Sequence, residues 1–131
     1  MLTLHIAYPG EAAYDEVVLF AQHTYHDRLH ADLSPHPDLF AYARDVSGAC
    51  VACFGLYHAA QRELLFETYL PHAFELIAGV AHPERRLFAE FGTRANDIAI
   101  SRDPIHTDLS FGLTAVLVIA AFEREIGRAH V

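Results

Sequence analysis

Leu2, Leu4 and Ile6 alternate with Thr3, His5 and Ala7, the period of a strand. Pro9-Gly10 ends it. From Glu11 to about Leu33 the period lengthens. Tyr14, Val17, Val18, Ala21, Tyr25 and Leu29 recur at helical spacing and predict one amphipathic helix. Ser34-Pro35-His36-Pro37 breaks it. Leu39 to Val46 and Ala49 to Tyr57 read as strands, and Ser47-Gly48 between them has the two-residue form of a tight hairpin.

Gln61 to Leu70 is ambiguous by period. Pro71 stops it, and His72 to Val80 predicts a short helix. After Pro83, the stretch Arg85 to Arg94 contains the strand-like Leu87-Phe88-Ala89-Glu90-Phe91. Ile98 to Ile105 reads as a loop with a turn at Asp103-Pro104. Thr107 or Asp108 is placed to cap a last helix from Leu109 to about Glu123. That helix is apolar nearly all round, so it is expected to be buried. The element order predicts an α/β domain. The last helix needs cover on more than one side, which predicts a further C-terminal strand or strands missing from this chain. Residues 126–131, Ile-Gly-Arg-Ala-His-Val, are what the codons of a common sequencing adapter encode. The reading is therefore one incomplete domain over residues 1–125, with adapter read-through over 126–131.

Composition narrows the picture. A chain of 131 residues with 53% hydrophobic and 20% charged positions is globular and holds one domain. Its net charge is -8, and all nine basic side chains are Arg. A contiguous nucleic-acid-binding surface is not expected, because phosphate binding needs clustered cations. The N-terminus lacks a basic segment followed by a long apolar one. The longest apolar stretch, Phe111 to Phe122, has twelve positions against the ~20 of a spanning helix. These features predict a cytoplasmic protein with no membrane span; they leave the oligomeric state open.

Cys50 and Cys53 lie within a strand, where three-residue spacing puts them on opposite faces, as buried structural thiols. His23, His26 and His30 share one arc of the first helix, away from its apolar stripe. His26 and His30 have a zinc-pair spacing, but no acidic or Cys ligand is recognisably paired with them. The expectation is a solvated, pH-sensitive face and no metal.

Two further segments carry candidate chemistry, Leu64-Leu65-Phe66-Glu67-Thr68-Tyr69-Leu70-Pro71 and Arg85-Arg86-Leu87-Phe88-Ala89-Glu90-Phe91-Gly92-Thr93-Arg94-Ala95. Glu67 and Glu90 sit in or beside apolar runs, where a buried carboxylate needs a partner or shifts its pKa upward. Arg86 and Arg94 are the obvious partners. A carboxylate so raised is a general base for an amine; a Glu–Arg pair that only fixes loop geometry is the alternative.

In this order, after Ala52-Cys53-Phe54-Gly55-Leu56, the segments resemble the thermostable hemolysin family over roughly residues 14 to 124. The matching positions are Glu67, Tyr69, Leu70, Glu75, Arg86, Glu90, Gly92 and Ala95. The family's Asn-Leu before that Ala is replaced here by Thr93-Arg94. The layout also resembles acyl-homoserine lactone synthases, with Glu90-Phe91-Gly92-Thr93-Arg94 a loose echo of their Glu-x-Ser-Arg. Both resemblances imply a GNAT-like acyltransferase fold: a central mixed sheet flanked by helices, with a splayed parallel pair of strands. They imply acyl transfer from an acyl-CoA or acyl-carrier-protein thioester to a small amine; no other cofactor is assigned. Glu67 and Glu90 would line the acceptor site, Tyr69 would donate a proton, and Arg86, Arg94 and Arg102 would bind substrate. Ser101 to Gly112, the expected phosphate loop, has one Gly, and Asp103 and Asp108 would repel a pyrophosphate. A non-catalytic binding module and a haemolytic toxin, as the family name implies, therefore stay open. The chain by itself is not expected to be a competent catalyst.

Overall fold

The computed structural model describes residues 2–58, 64–65, 89–96, 109, 112–120 and 123. The expected helix at His72 to Val80, the loop before the last helix and residues 126–131 lie outside them. Strand β1 spans Thr3–Ala7, helix α1 Ala12–Leu29, β2 Leu39–Arg44, β3 Cys50–His58 and β4 Ala89–Asn96. Residues 112–120 are helical. The strands form one sheet in the order β1-β2-β3-β4. Every described pairing is antiparallel, so this is an α+β arrangement. The parallel neighbour of β4 that the resemblance implies is no part of the described sheet. Among the described residues no helix is long and apolar enough to cross a membrane.

The tight turn after β1 delivers the chain into α1. Glu11 donates its N–H to the Tyr8 carbonyl at 3.1 Å, and its Oε1 accepts the Tyr8 N–H at 2.6 Å. The helix ends at Leu29, four residues before the expected Leu33. His30 takes a left-handed conformation, φ 52°, and donates its N–H to the His26 carbonyl at 3.0 Å. That is an αL cap, and it stops a helix whose period continues in the sequence.

The hairpin turn is one residue longer than expected. Gly48 donates to the Asp45 carbonyl at 3.0 Å and Asp45 to the Ala49 carbonyl at 3.0 Å, so the loop is Val46-Ser47-Gly48. Asp45 Oδ1 accepts from Ser47 N, Ser47 Oγ and Ala49 N, which anchors the turn early. Gly48 then closes it at φ +87°, the three-residue form with glycine in the left-handed position.

The middle of the sheet, β2 and most of β3, is buried on both faces. On one, Leu39, Ala41, Ala43, Val51, Ala52 and Leu56 meet Leu109, Leu113, Leu117 and Ala120. The short alanines of β2 and β3 let the leucines of the last helix approach the strands. On the other, Phe40, Tyr42, Cys53 and Ala95 pack against Tyr14, Val17 and Ala21 of α1. Tyr14 donates its hydroxyl to the buried Pro37 carbonyl at 2.7 Å and thereby ties α1 to the segment entering β2. The described part of the last helix is not buried all round. Val118 and Ile119 are 51% and 58% exposed, while Leu113, Val116, Leu117 and Ala120 meet the sheet.

The cysteines also depart from expectation. Opposite Ala43 and Arg44 the register jumps from Ala52 to Cys50, so Val51 is an extra residue in β3. The bulge shifts the alternation by one. Cys50 and Cys53 consequently both pack on the α1 side, and both are free thiols. Burial pushes Cys50 up to about 11 and, with Cys50 as neighbour, raises Cys53 as well.

Candidate functional site

A second bulge organises the site. β3 and β4 pair from His58↔Ala89 to Gly55↔Gly92 and resume at Cys53↔Ala95. Thr93 and Arg94 thus stand opposite the single residue Phe54. Thr93 has φ +53°, a left-handed conformation that a β-branched side chain opposes. Three side chains hold it there. The Tyr57 hydroxyl and Thr93 Oγ1 share a hydrogen bond. Cys53 Sγ donates to the Thr93 carbonyl at 3.5 Å, and the Tyr25 hydroxyl donates to the Arg94 carbonyl at 2.8 Å.

Glycines make the close approach feasible. A Cβ on Gly55 would stand 3.0 Å from the Gly92 carbonyl oxygen and 3.0 Å from Pro37 Cβ. A Cβ on Gly92 would stand 3.2 Å from the Tyr57 ring. The bulge, the Tyr57 ring and Pro37 therefore pack closely against one another, and a methyl group at either glycine would have to push a neighbour aside.

Beside the bulge lies an open groove of about 510 Å³ between α1, the segment that follows it, and β4. Leu33, Pro35, Leu64, Leu65 and Phe91 supply apolar walls; Tyr25, Tyr57, Thr93 and Glu90 supply the polar atoms. Glu90 is half-buried, and its Oε1 accepts the Leu65 N–H at 2.8 Å. Burial first, then the neighbouring Cys53 and Tyr57, push the Tyr25 hydroxyl above its ordinary pKa of 10.0, so it stays a neutral donor.

Of the residues expected to carry chemistry, Glu90 lines this groove. Arg94 is exposed and lines an adjoining groove of about 400 Å³ with Arg28, Thr24 and Asn96. Tyr25 borders both. The bulge separates Glu90 from Arg94 along β4 and turns them toward different hollows. Glu67, Tyr69, Arg86 and Arg102 lie outside the described residues. Tyr25, Tyr57 and Thr93 were not anticipated as site residues; the one sequence signal for them was the Thr93-Arg94 departure from the family pattern.

Among the described residues no three His, Cys, Asp or Glu side chains gather as metal ligands would. His26 Nδ1 instead meets Asp32 Oδ1 at 3.1 Å on the surface. Compared with known proteins, the chain matches the family model described as Thermostable hemolysin over residues 7–114. No curated protein and no solved structure matches it.

Proposed function

The chain belongs to the thermostable hemolysin family, and from that premise we propose that its domain is a GNAT-type acyltransferase-like domain. It would move an acyl group from a thioester, carried by CoA or a carrier protein, to an amine bound in the groove beside β4. Fold and family alone are a weak warrant for chemistry. The observation that carries the reading is the strained bulge at Thr93, set in a groove with the Glu90 carboxylate and the Tyr57 hydroxyl. Strain of this kind persists only where the surroundings over-determine it, and it concentrates at functional sites.

Acyl transfer needs a donor for the carbonyl oxygen, a base for the amine and a proton for the leaving thiolate. A bulge takes backbone groups out of the ladder, and such N–H groups suit a developing oxyanion. Glu90 takes the proton that the amine nitrogen loses as it bonds to the acyl carbon. The C–S bond breaks, and the Tyr69 hydroxyl protonates the thiolate. Glu67 is a second carboxylate for the acceptor. Arg94 with Arg28 suits the anionic part of the donor, and Arg86 and Arg102 add to substrate binding.

The test uses the full-length protein. Supplied with acyl-CoA and acyl-carrier-protein thioesters and a panel of amines, it should release free thiol and form amides detectable by mass spectrometry. Glu90→Gln should lower kcat/KM by about 10²-fold or more. No thioester consumption across the panel would overturn the proposal. Dye release from pure-lipid vesicles with no substrate added would favour a direct toxin.

A further inference from the structure

Most of the polar side chains that line the groove beside β4 are already engaged within the protein. The Tyr25 hydroxyl donates to the Arg94 carbonyl, and the Tyr57 hydroxyl and Thr93 Oγ1 bond each other. Glu90 accepts the Leu65 N–H and makes a further interaction besides, as does Tyr57. A ligand that took over one of these groups would leave its present partner unsatisfied, and the new bond would do little more than offset that loss. The apolar wall carries no such penalty.

That wall comes from three separate stretches of chain. Leu33 and Pro35 follow α1, Leu64 and Leu65 follow β3, and Phe91 lies in β4. Leu64 is 1% exposed and Pro35 is buried, whereas Leu65 and Phe91 are 63% and 41% exposed. Apolar surface therefore runs from the interior out to the rim. Single exposed apolar side chains are ordinary, but several from separate stretches converging on one hollow mark a ligand site. The wall is also preformed. The bond from the Leu65 N–H to Glu90 pins that stretch to β4, and the bonds of Tyr25 and Tyr57 at the bulge fix both rings. Walls held in place need little ordering when a ligand arrives. At about 510 Å³ the groove is in the size range of sites for drug-sized molecules.

We infer that the groove binds an unbranched hydrocarbon chain, laid along Phe91, Leu64 and Leu65 and held by burial of apolar surface. An extended chain can follow a wall assembled from separate stretches. The inference deepens the acyltransferase reading and rests on it only for the source of the chain, which is the tail of the acyl group or the body of the acceptor amine. Chain binding itself is independent of that reading.

Calorimetry on the full-length protein tests this with butanol, hexanol, octanol and decanol, uncharged probes each kept below its solubility limit. Affinity should rise about 2- to 4-fold per added methylene while the chain still finds wall to cover. The heat-capacity change of binding should grow more negative along the series. Phe91→Ala should weaken decanol by about threefold or more, with circular dichroism confirming that the variant is folded. Should Phe91→Ala not fold, Leu65→Ala at an exposed position gives the same readout. Val46→Ala, at an exposed apolar position that does not line the groove, should leave binding unchanged. Affinity independent of chain length, or equal losses in Val46→Ala and in the groove variant, would overturn the inference. The source is read from kcat/KM, first along a series of acyl-CoA thioesters with one amine, then along a series of alkylamines with one thioester. Length dependence in the first series assigns the chain to the donor, and in the second to the acceptor. Decanol binding with no thioester turnover would overturn the acyltransferase reading alone. Turnover indifferent to length in both series would overturn this inference alone.

Discussion

Replacing Thr93 tests whether the bulge in β4 is strained. At φ +53° an L-residue costs about 1–2 kcal/mol relative to glycine, and a β-branched one lies at the upper end. Thr93→Gly removes that cost but loses the hydrogen bond to Tyr57, and it adds about 0.5–1 kcal/mol of chain entropy to the unfolded state. Thr93→Val keeps the shape and the strain and loses the same hydrogen bond. The hydroxyl contribution is common to both variants, and Thr93 is only half-buried, so their difference is mainly the backbone contribution with a smaller one from the valine methyls. Relief of about 2 kcal/mol less an entropy cost of about 1 leaves the glycine variant ahead by about 1 kcal/mol. Urea unfolding followed by circular dichroism resolves that difference if the slopes agree. Valine equal to or better than glycine would refute the reasoning, because Thr93 would then not be held against its preference.

Other perturbations probe the parts that support the groove. Tyr14→Phe should cost about 1–3 kcal/mol in the same assay, since it leaves the buried Pro37 carbonyl without its donor. His30→Gly should stabilise by about 0.5–1 kcal/mol, by relieving the left-handed residue that caps α1 while keeping its N–H bond to His26; His30→Ala should be close to neutral. The pH dependence turns on Glu16, which receives Arg44 Nη1 and Nη2 at 2.7 Å each. The Arg44 hydrogen bonds hold the Glu16 carboxyl below its ordinary 4.5. A depressed folded value means that the stabilisation is present above the unfolded pKa and is lost as pH falls through the folded one. Glu16→Gln should therefore cost no more than about 1 kcal/mol at neutral pH, and its gap from the unmodified chain should close in acid, below the ordinary carboxylate range.

The elements were legible in the sequence where burial sets a local period. Leu4 and Ile6, the stripe from Tyr14 to Tyr25, and the paired runs around Ser47-Gly48 each mark the element that forms there. Backbone events were not legible. The helix stop at His30, the Asp45-anchored turn and the bulges at Val51 and Thr93 change no hydrophobic period in advance. The Val51 bulge alone is enough to reverse the expected placement of Cys50 relative to Cys53. Glu90 stood out as an acid in an apolar run, whereas Tyr25 and Tyr57 looked like ordinary core aromatics. Their roles depend on partners such as Arg94, 69 positions from Tyr25, which no local pattern displays.

The location of the groove follows from how the sheet is spent. β2 is buried on both faces and β3 nearly so, each side chain committed to one core or the other. β4 differs: only Ala95 and Asn96 are buried, and the positions from Ala89 to Arg94 are partly or wholly exposed. A strand with that profile contributes little hydrophobic stabilisation of its own, so a strained residue is tolerable there only if neighbours supply the rigidity. They do: Tyr57 from β3, Tyr25 from α1 and the Gly55–Pro37 contact all brace the bulge from the packed side. The open side is left to Glu90, Phe91 and the groove. Rigid support on one side and polar and apolar groups on the other make this stretch of β4 suited to holding a ligand in fixed geometry.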